Sequence, residues 1–222
     1  MSRLLSLSIL AAGLTLPAAA DPVLDMMRNL SKDGPVYAYE MTYSEADIIA
    51  AGTIDPSQPE GERIQVTSPA ESEWTEDFRE GLDEMEAETD GDIWCADFAE
   101  MVPNKVSALD ESETTVTYAF TPQPEADADG MEKKMMKKLN GTVTLDKSDG
   151  SVLAFNMKLP KPYKPAIVAK IENFEMDATC ARAPDGRTFV ESFDFKIAGS
   201  AMMQKFDEAV SRKITKLLQP VG

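Results

Sequence analysis

The sequence predicts an α+β fold: a strongly curved antiparallel sheet of roughly eight or more strands, with two or three helices packed on its concave side. Three observations predict it. Several segments alternate apolar and polar residues with the period of a half-buried strand. Two turn signals, Asp149-Gly150 and Pro184-Asp185-Gly186, lie between such segments and imply consecutive antiparallel pairing. Between Glu73 and Glu88, Trp74, Phe78, Leu82 and Met85 recur at i, i+4, i+8 and i+11, the apolar stripe of a surface helix.

Taken in order, Pro22 to Leu30 carries Val23, Leu24, Met27 and Leu30 at the spacing of a short helix. Pro35 to Tyr43 alternates, with Tyr37, Tyr39, Met41 and Tyr43 forming an aromatic-rich strand face. Asp47 to Ile54 and Arg63 to Val66 read as further strands around the turn-rich stretch Asp55 to Gly61. After the Glu73 to Glu88 helix, Trp94 and Cys95 fall on a strand or loop, and Thr114 to Phe120 alternates again. Pro122 to Gly130 is a polar loop. Met131 to Leu139 is a short helix that Asn140-Gly141 should end, glycine being the usual residue past a helix terminus. Thr142 to Lys147 and Ser151 to Leu159 flank the first turn signal; Ile167 to Cys180 and Arg187 to Ala198 flank the second. From Ala201 to Leu218 both periods fit. Met203, Phe206, Val210, Ile214 and Leu217 have helical spacing, but Val210, Arg212, Ile214 and Lys216 fall on alternate residues, which favours a strand from Val210.

Residues 1–20 read as a secretory signal peptide. Arg3 is the basic n-region, Leu4 to Leu16 the apolar stretch, and Ala18-Ala19-Ala20 the cleavage site. The apolar stretch is too short to span a bilayer core of roughly 30 Å. The expected address is the periplasm, with residues 21–222 as one domain, neither lipid-anchored nor membrane-spanning. The two cysteines, Cys95 and Cys180, are then most simply a disulfide in an oxidising compartment. Two free thiols or a redox pair are the alternatives, and nothing resembles C-x-x-C.

The chain has no histidine, which excludes Ser-His-Asp and Cys-His nucleophile systems, histidine bases and the common zinc sites. Its net charge is −17. Residues 21–130 hold only Arg28, Lys32, Arg63, Arg79 and Lys105 as cations, whereas residues 131–222 carry more basic than acidic side chains. Such an acidic chain repels nucleic-acid phosphates. It suits a solubilising surface or a basic protein partner.

Glu125-Ala-Asp127-Ala-Asp129-Gly130 imitates the start of a calcium loop, but the twelfth position is Met136 where a bidentate glutamate is required. No metal or other cofactor is expected. The acidic residues from Glu71 to Glu88 read as a solvated helix face rather than as paired catalytic carboxylates. Met131, Met135, Met136 and Leu139 share one helical flank, with Lys134 and Lys138 among the lysines around them. Adaptable methionines beside lysines suit an apolar ligand with an anionic head. The same pattern suits a short helix that covers the sheet and lets its lysines snorkel to water.

The order of these parts, together with Gly141-Thr-Val-Thr-Leu-Asp-Lys-Ser-Asp-Gly-Ser-Val-Leu-Ala-Phe155, resembles the lipoprotein-carrier superfamily of periplasmic half-barrels. Ala169 to Met176 and Gly199 to Phe206 also resemble segments of secreted proteins of Gram-negative bacteria. The first resemblance implies an open half-barrel that encloses an apolar cavity for acyl chains, with a basic residue in that cavity. The function expected is therefore non-enzymatic binding of a lipid or lipidated partner, gated by residues 131–139. An acidic module that binds a basic protein is the alternative.

Overall fold

A computed structural model of the protein describes residues 21–124, 128 and 130–221. The leader expected in residues 1–20 lies outside the described residues, as do Glu125, Asp127 and Asp129 of the acidic loop.

Helix α1 (Pro22–Arg28) forms because Asp21 caps it. The Asp21 carboxylate accepts from the backbone N–H of Val23 at 3.0 Å and of Leu24 at 3.4 Å, and Pro22 occupies the first turn, where it costs no hydrogen bond. The Tyr118 hydroxyl donates to the same carboxylate, so the cap also pins the helix to the sheet. Val23, Leu24 and Met27 then point inward.

The strands are β1 (Val36–Glu45), β2 (Ile48–Ile54), β3 (Ile64–Ser68), β4 (Ser107–Glu111), β5 (Thr115–Phe120), β6 (Asn140–Asp146), β7 (Val152–Lys158), β8 (Tyr163–Ala166), β9 (Ala169–Arg182), β10 (Thr188–Ala201) and β11 (Gln204–Val221). They form one antiparallel sheet in the order β3-β2-β1-β11-β10-β9-β7-β6-β5-β4, with β8 added against β9. The edges β3 and β4 do not pair, so the sheet is not closed. Helix α2 (Glu76–Glu88) follows β3, and a five-residue helix α3 (Glu132–Met136) precedes β6.

The main core lies where α1 and a 3-10 helix (Cys95–Met101) cover β5 to β10. Phe155 is at its centre, stacked on Phe98 at 4.6 Å between ring centroids and tilted against Phe120 at 5.7 Å. Val143, Leu145, Val152, Met27 and Cys95 around it are fully buried. Cys95 and Cys180 form a disulfide, which fits an oxidising compartment and ties the 3-10 helix to β9. A second core gathers Tyr37, Tyr39, Ile54, Trp94, Phe189 and Ile214.

Several expectations are corrected. Asn140-Gly141 does not end a helix; it opens β6, and Lys137 is the helix C-cap. Glycine is needed there for packing, since a Cβ on Gly141 would lie 2.5 Å from the Phe120 ring. The Asp149-Gly150 signal marks a hairpin, but not a two-residue one. Asp146 N–H donates to the Ser151 carbonyl at 2.9 Å, which leaves residues 147–150 as the loop. Gly150 takes φ +75°, and a Cβ there would strike the Met27 backbone nitrogen at 2.5 Å. The last strand starts at Gln204, six residues before Val210. Strands β4 and β8 were not anticipated. The first is exposed throughout and shows no alternation of burial; the second contains Pro165, which a strand tolerates at an edge.

Arg187 closes the second core. Its guanidinium lies over the Trp94 ring, 3.4 Å from the centroid. It donates to the Lys32 carbonyl at 3.1 Å, the Pro35 carbonyl at 2.5 Å and the Asp185 carboxylate at 2.8 Å. Arg187→Ala would uncover the indole and strand these acceptors, so we expect a loss of about 2–3 kcal/mol in urea unfolding. Arg187→Lys should recover less than half of it, because an ammonium has no planar fork.

Candidate functional site

Direct cross-strand partners present their side chains to the same face of a sheet. One such row runs Ala50, Tyr43, Arg212, Phe193, Ala178, Phe155, Val143 and Tyr118, from β2 across to β5. Arg212 is the single charged residue in it. The right-hand part of this face, around Phe155, is filled by α1 and the 3-10 helix. The left-hand part, on β1 to β3, is covered by α2 and is not filled.

Helix α2 is capped by Thr75, whose hydroxyl accepts from the Phe78 N–H at 3.1 Å. Its stripe of Phe78, Leu82 and Met85, with Gly81 between, faces Met41, Tyr43, Ile48, Ala50, Gly52, Ile54, Ile64 and Val66 across a narrow, mainly apolar slot, whose lining also includes Glu45 and Asp77. The free volume of the slot is about 90 Å³. Past Met41 and Met85 it meets a wider cleft of about 290 Å³, whose walls include Tyr39, Phe193, Ile214 and Arg212, with Glu88, Asp90 and Asp92 at the rim.

The helix is held at its two ends. Near the start, the Trp74 indole N–H donates to the Pro69 carbonyl at 3.1 Å, and the Trp74 ring packs on Phe78 at 5.4 Å. Near the end, the buried Glu86 carboxylate accepts from three backbone N–H groups that lead into β3: Gly61 at 3.1 Å, Arg63 at 3.3 Å and Ile64 at 2.7 Å. Arg63 returns the contact, its guanidinium donating to the Glu86 carbonyl at 3.2 Å and the Thr89 carbonyl at 2.8 Å. Polar anchors at both ends and an apolar gap between them make a strap over the sheet.

The polar groups at the slot and cleft are shifted in ways that favour neutral forms. Burial pushes the Tyr39 phenol up to about 12. Burial, with its hydrogen bond to Glu45, does the same to Tyr43. Burial and the neighbouring Asp97 carboxylate raise Asp92 above the usual carboxylate range. The guanidinium of Arg212 lies 5.7 Å from the Tyr43 ring centroid and remains exposed.

The residues singled out from sequence lie elsewhere. Met135 and Met136 are half-buried against the main core, Leu139 is fully inside it, and Met131 is exposed. Lys134 and Lys138 face solvent, the Lys138 ammonium lying 5.8 Å from the Tyr163 ring centroid. The structure thus brings these six together as a short segment beside β8, and none of them lines the slot or the cleft. The α2 stripe was legible as a pattern. Its partner strands were legible too, but not the gap between them.

Among the described residues no cluster of three or more His, Cys, Asp or Glu side chains is arranged to hold a metal ion. No helix among them is long and apolar enough to cross a membrane. No family model, curated protein or solved structure matches the chain.

Proposed function

We propose that the protein is a non-catalytic binding or carrier protein of the periplasm, taking an apolar chain with one anionic end, such as a fatty acyl group. The acyl portion enters the slot under α2, and Arg212 meets the head group in the cleft beside it. The curved half-barrel expected from sequence is the architecture this reading uses. What supports it is the contrast along one sheet face: side chains fill the space under α1, whereas a mainly apolar gap remains under α2 and meets a cleft whose one cation is Arg212, with Glu88, Asp90 and Asp92 in the same lining. The gap is narrower than the roughly 300–1,000 Å³ of drug-sized ligand sites. A single extended chain is therefore the favoured occupant, and the strap-like attachment of α2 lets the helix lift to admit it.

Gly81 provides the test. It lines the slot, and a Cβ built on it meets nothing within 4 Å. Gly81→Leu should fill the slot and also gain about 1 kcal/mol of helix propensity. Titration with a fluorescent fatty acid should show binding to the wild type and at least about tenfold weaker binding to this variant, roughly the worth of one apolar side chain's burial. The thermal midpoint of the variant should be equal or higher. Arg212→Glu should weaken the fatty acid but spare the matching alcohol. A wild type that binds neither probe ends the proposal.

A further inference from the structure

Among the described residues, four of the most exposed large apolar side chains occur together. Ile167 and Val168 form the tip between β8 and β9, and Met202 and Met203 the tip between β10 and β11. The tips are side by side because Ala169 pairs with Ala201, and the Met202 N–H donates to the Val168 carbonyl at 2.8 Å. Ile167 and Met203 are fully exposed.

The backbone makes this placement costly. Met202 and Met203 take φ values of +49° and +70°. A two-residue hairpin turn with both φ positive favours Asn-Gly, and L-residues with larger side chains adopt it against steric resistance. The chain thus holds two methionines in an unfavourable conformation at a point where their side chains stay largely exposed.

Charge around the tips runs opposite to that of the whole molecule. Residues 161–172 and 195–208 contain Lys161, Lys164, Lys170, Lys196 and Lys205 against Glu172, Asp207 and Glu208, a local excess of positive charge in a chain of net charge −17. Glu172 pairs with Lys170 at 2.6 Å and also feels the Lys205 charge, and the exposed Lys164 and Lys205 are the cations closest in sequence to the tips outside that pair. An apolar point flanked by an excess of lysines matches the boundary between acyl chains and anionic head groups.

We propose that the joined tips are a docking prong for an anionic lipid bilayer. Ile167, Val168, Met202 and Met203 enter the interface, and Lys164 and Lys205 meet the lipid phosphates. The prong lies outside the α2 slot and does not depend on it. It also orients the molecule, because the rest of the acidic surface is repelled by the same membrane.

Flotation of the full chain with vesicles tests the proposal. The wild type should float with vesicles containing phosphatidylglycerol and stay behind with phosphatidylcholine alone. M202N/M203G places the preferred residues in the turn, so its thermal midpoint should be equal or higher. Its partition onto anionic vesicles should nonetheless fall by about tenfold or more, the apolar contact having been removed. Lys164→Gln and Lys205→Gln should each cost about fivefold, and added salt should act in the same direction. Wild-type protein that stays in the aqueous phase at every lipid composition overturns the proposal. So does M202N/M203G floating as well as the wild type. Self-association that this variant loses, without vesicle binding, would assign the tips to contacts between copies and also overturn it.

Discussion

Replacing Cys95 and Cys180 together with alanine is expected to lower the unfolding free energy by about 2–5 kcal/mol. The bridge spans 85 positions in sequence, so its loss frees a long loop in the unfolded chain, worth at most about 4–5 kcal/mol on the entropy model. The folded state loses as well, because Cys95 is fully buried in the main core and the bridge holds the 3-10 helix against β9. Urea unfolding of the oxidised protein, the reduced protein and the double variant measures the effect. The reduced protein and the variant should unfold at similar, lower urea concentrations. A variant within about 0.5 kcal/mol of the oxidised protein, the range of neutral surface changes, would show that packing alone holds the 3-10 helix.

Glu86→Ala is expected to cost about 2–4 kcal/mol, since it removes the acceptor of three part-buried backbone N–H groups, at Gly61, Arg63 and Ile64. The damage should be local first. Amide exchange at those three residues and along α2 should accelerate well before exchange in β6 and β7, where the main core is densest. Glu86→Gln keeps one acceptor oxygen but turns an amide nitrogen toward one of the donors, so its cost should fall between wild type and alanine. Loosening the strap also changes access to the slot. Fatty-acid association with Glu86→Ala should be faster than with wild type, and dissociation faster still. Uniform acceleration of exchange over the whole sheet would mean that Glu86 supports the fold generally and not the strap.

Local patterns identified most strands because a half-buried strand shows its period directly. Thr115 to Phe120 alternates in sequence, and its burial alternates in the structure. The same logic fails where both faces have one character, as in β4, which is exposed at every position. It is also ambiguous at β11. Phe206, Val210 and Ile214 are four apart, and a spacing of four satisfies a helix and is also a multiple of two. Long-range pairing resolved it: β11 lies between β1 and β10, with Tyr43 opposite Arg212 on one side and Phe193 opposite Arg212 on the other.

The candidate site was less legible for the same reason. The methionine- and lysine-rich segment 131–139 stands out by composition, yet Leu139 is core and Met135 and Met136 lean on it. The α2 stripe looks ordinary by composition, yet it bridges a gap. Arg212 carries no local mark at all. Only the register across three strands puts it in a row of apolar side chains.

From the amino-acid order alone came the antiparallel character of the sheet, the short first helix, the apolar stripe of the second, the pairing of the two cysteines and the exclusion of histidine chemistry. Each depends on nearest neighbours, on periodicity or on a count. Tertiary structure decided which parts of the shared sheet face are filled and which are hollow, where Arg212 stands, and that two distant hairpin tips meet. Those features depend on strand order and on helix stand-off, which arise from contacts beyond any local window, such as Tyr43 with Arg212 and Ala169 with Ala201.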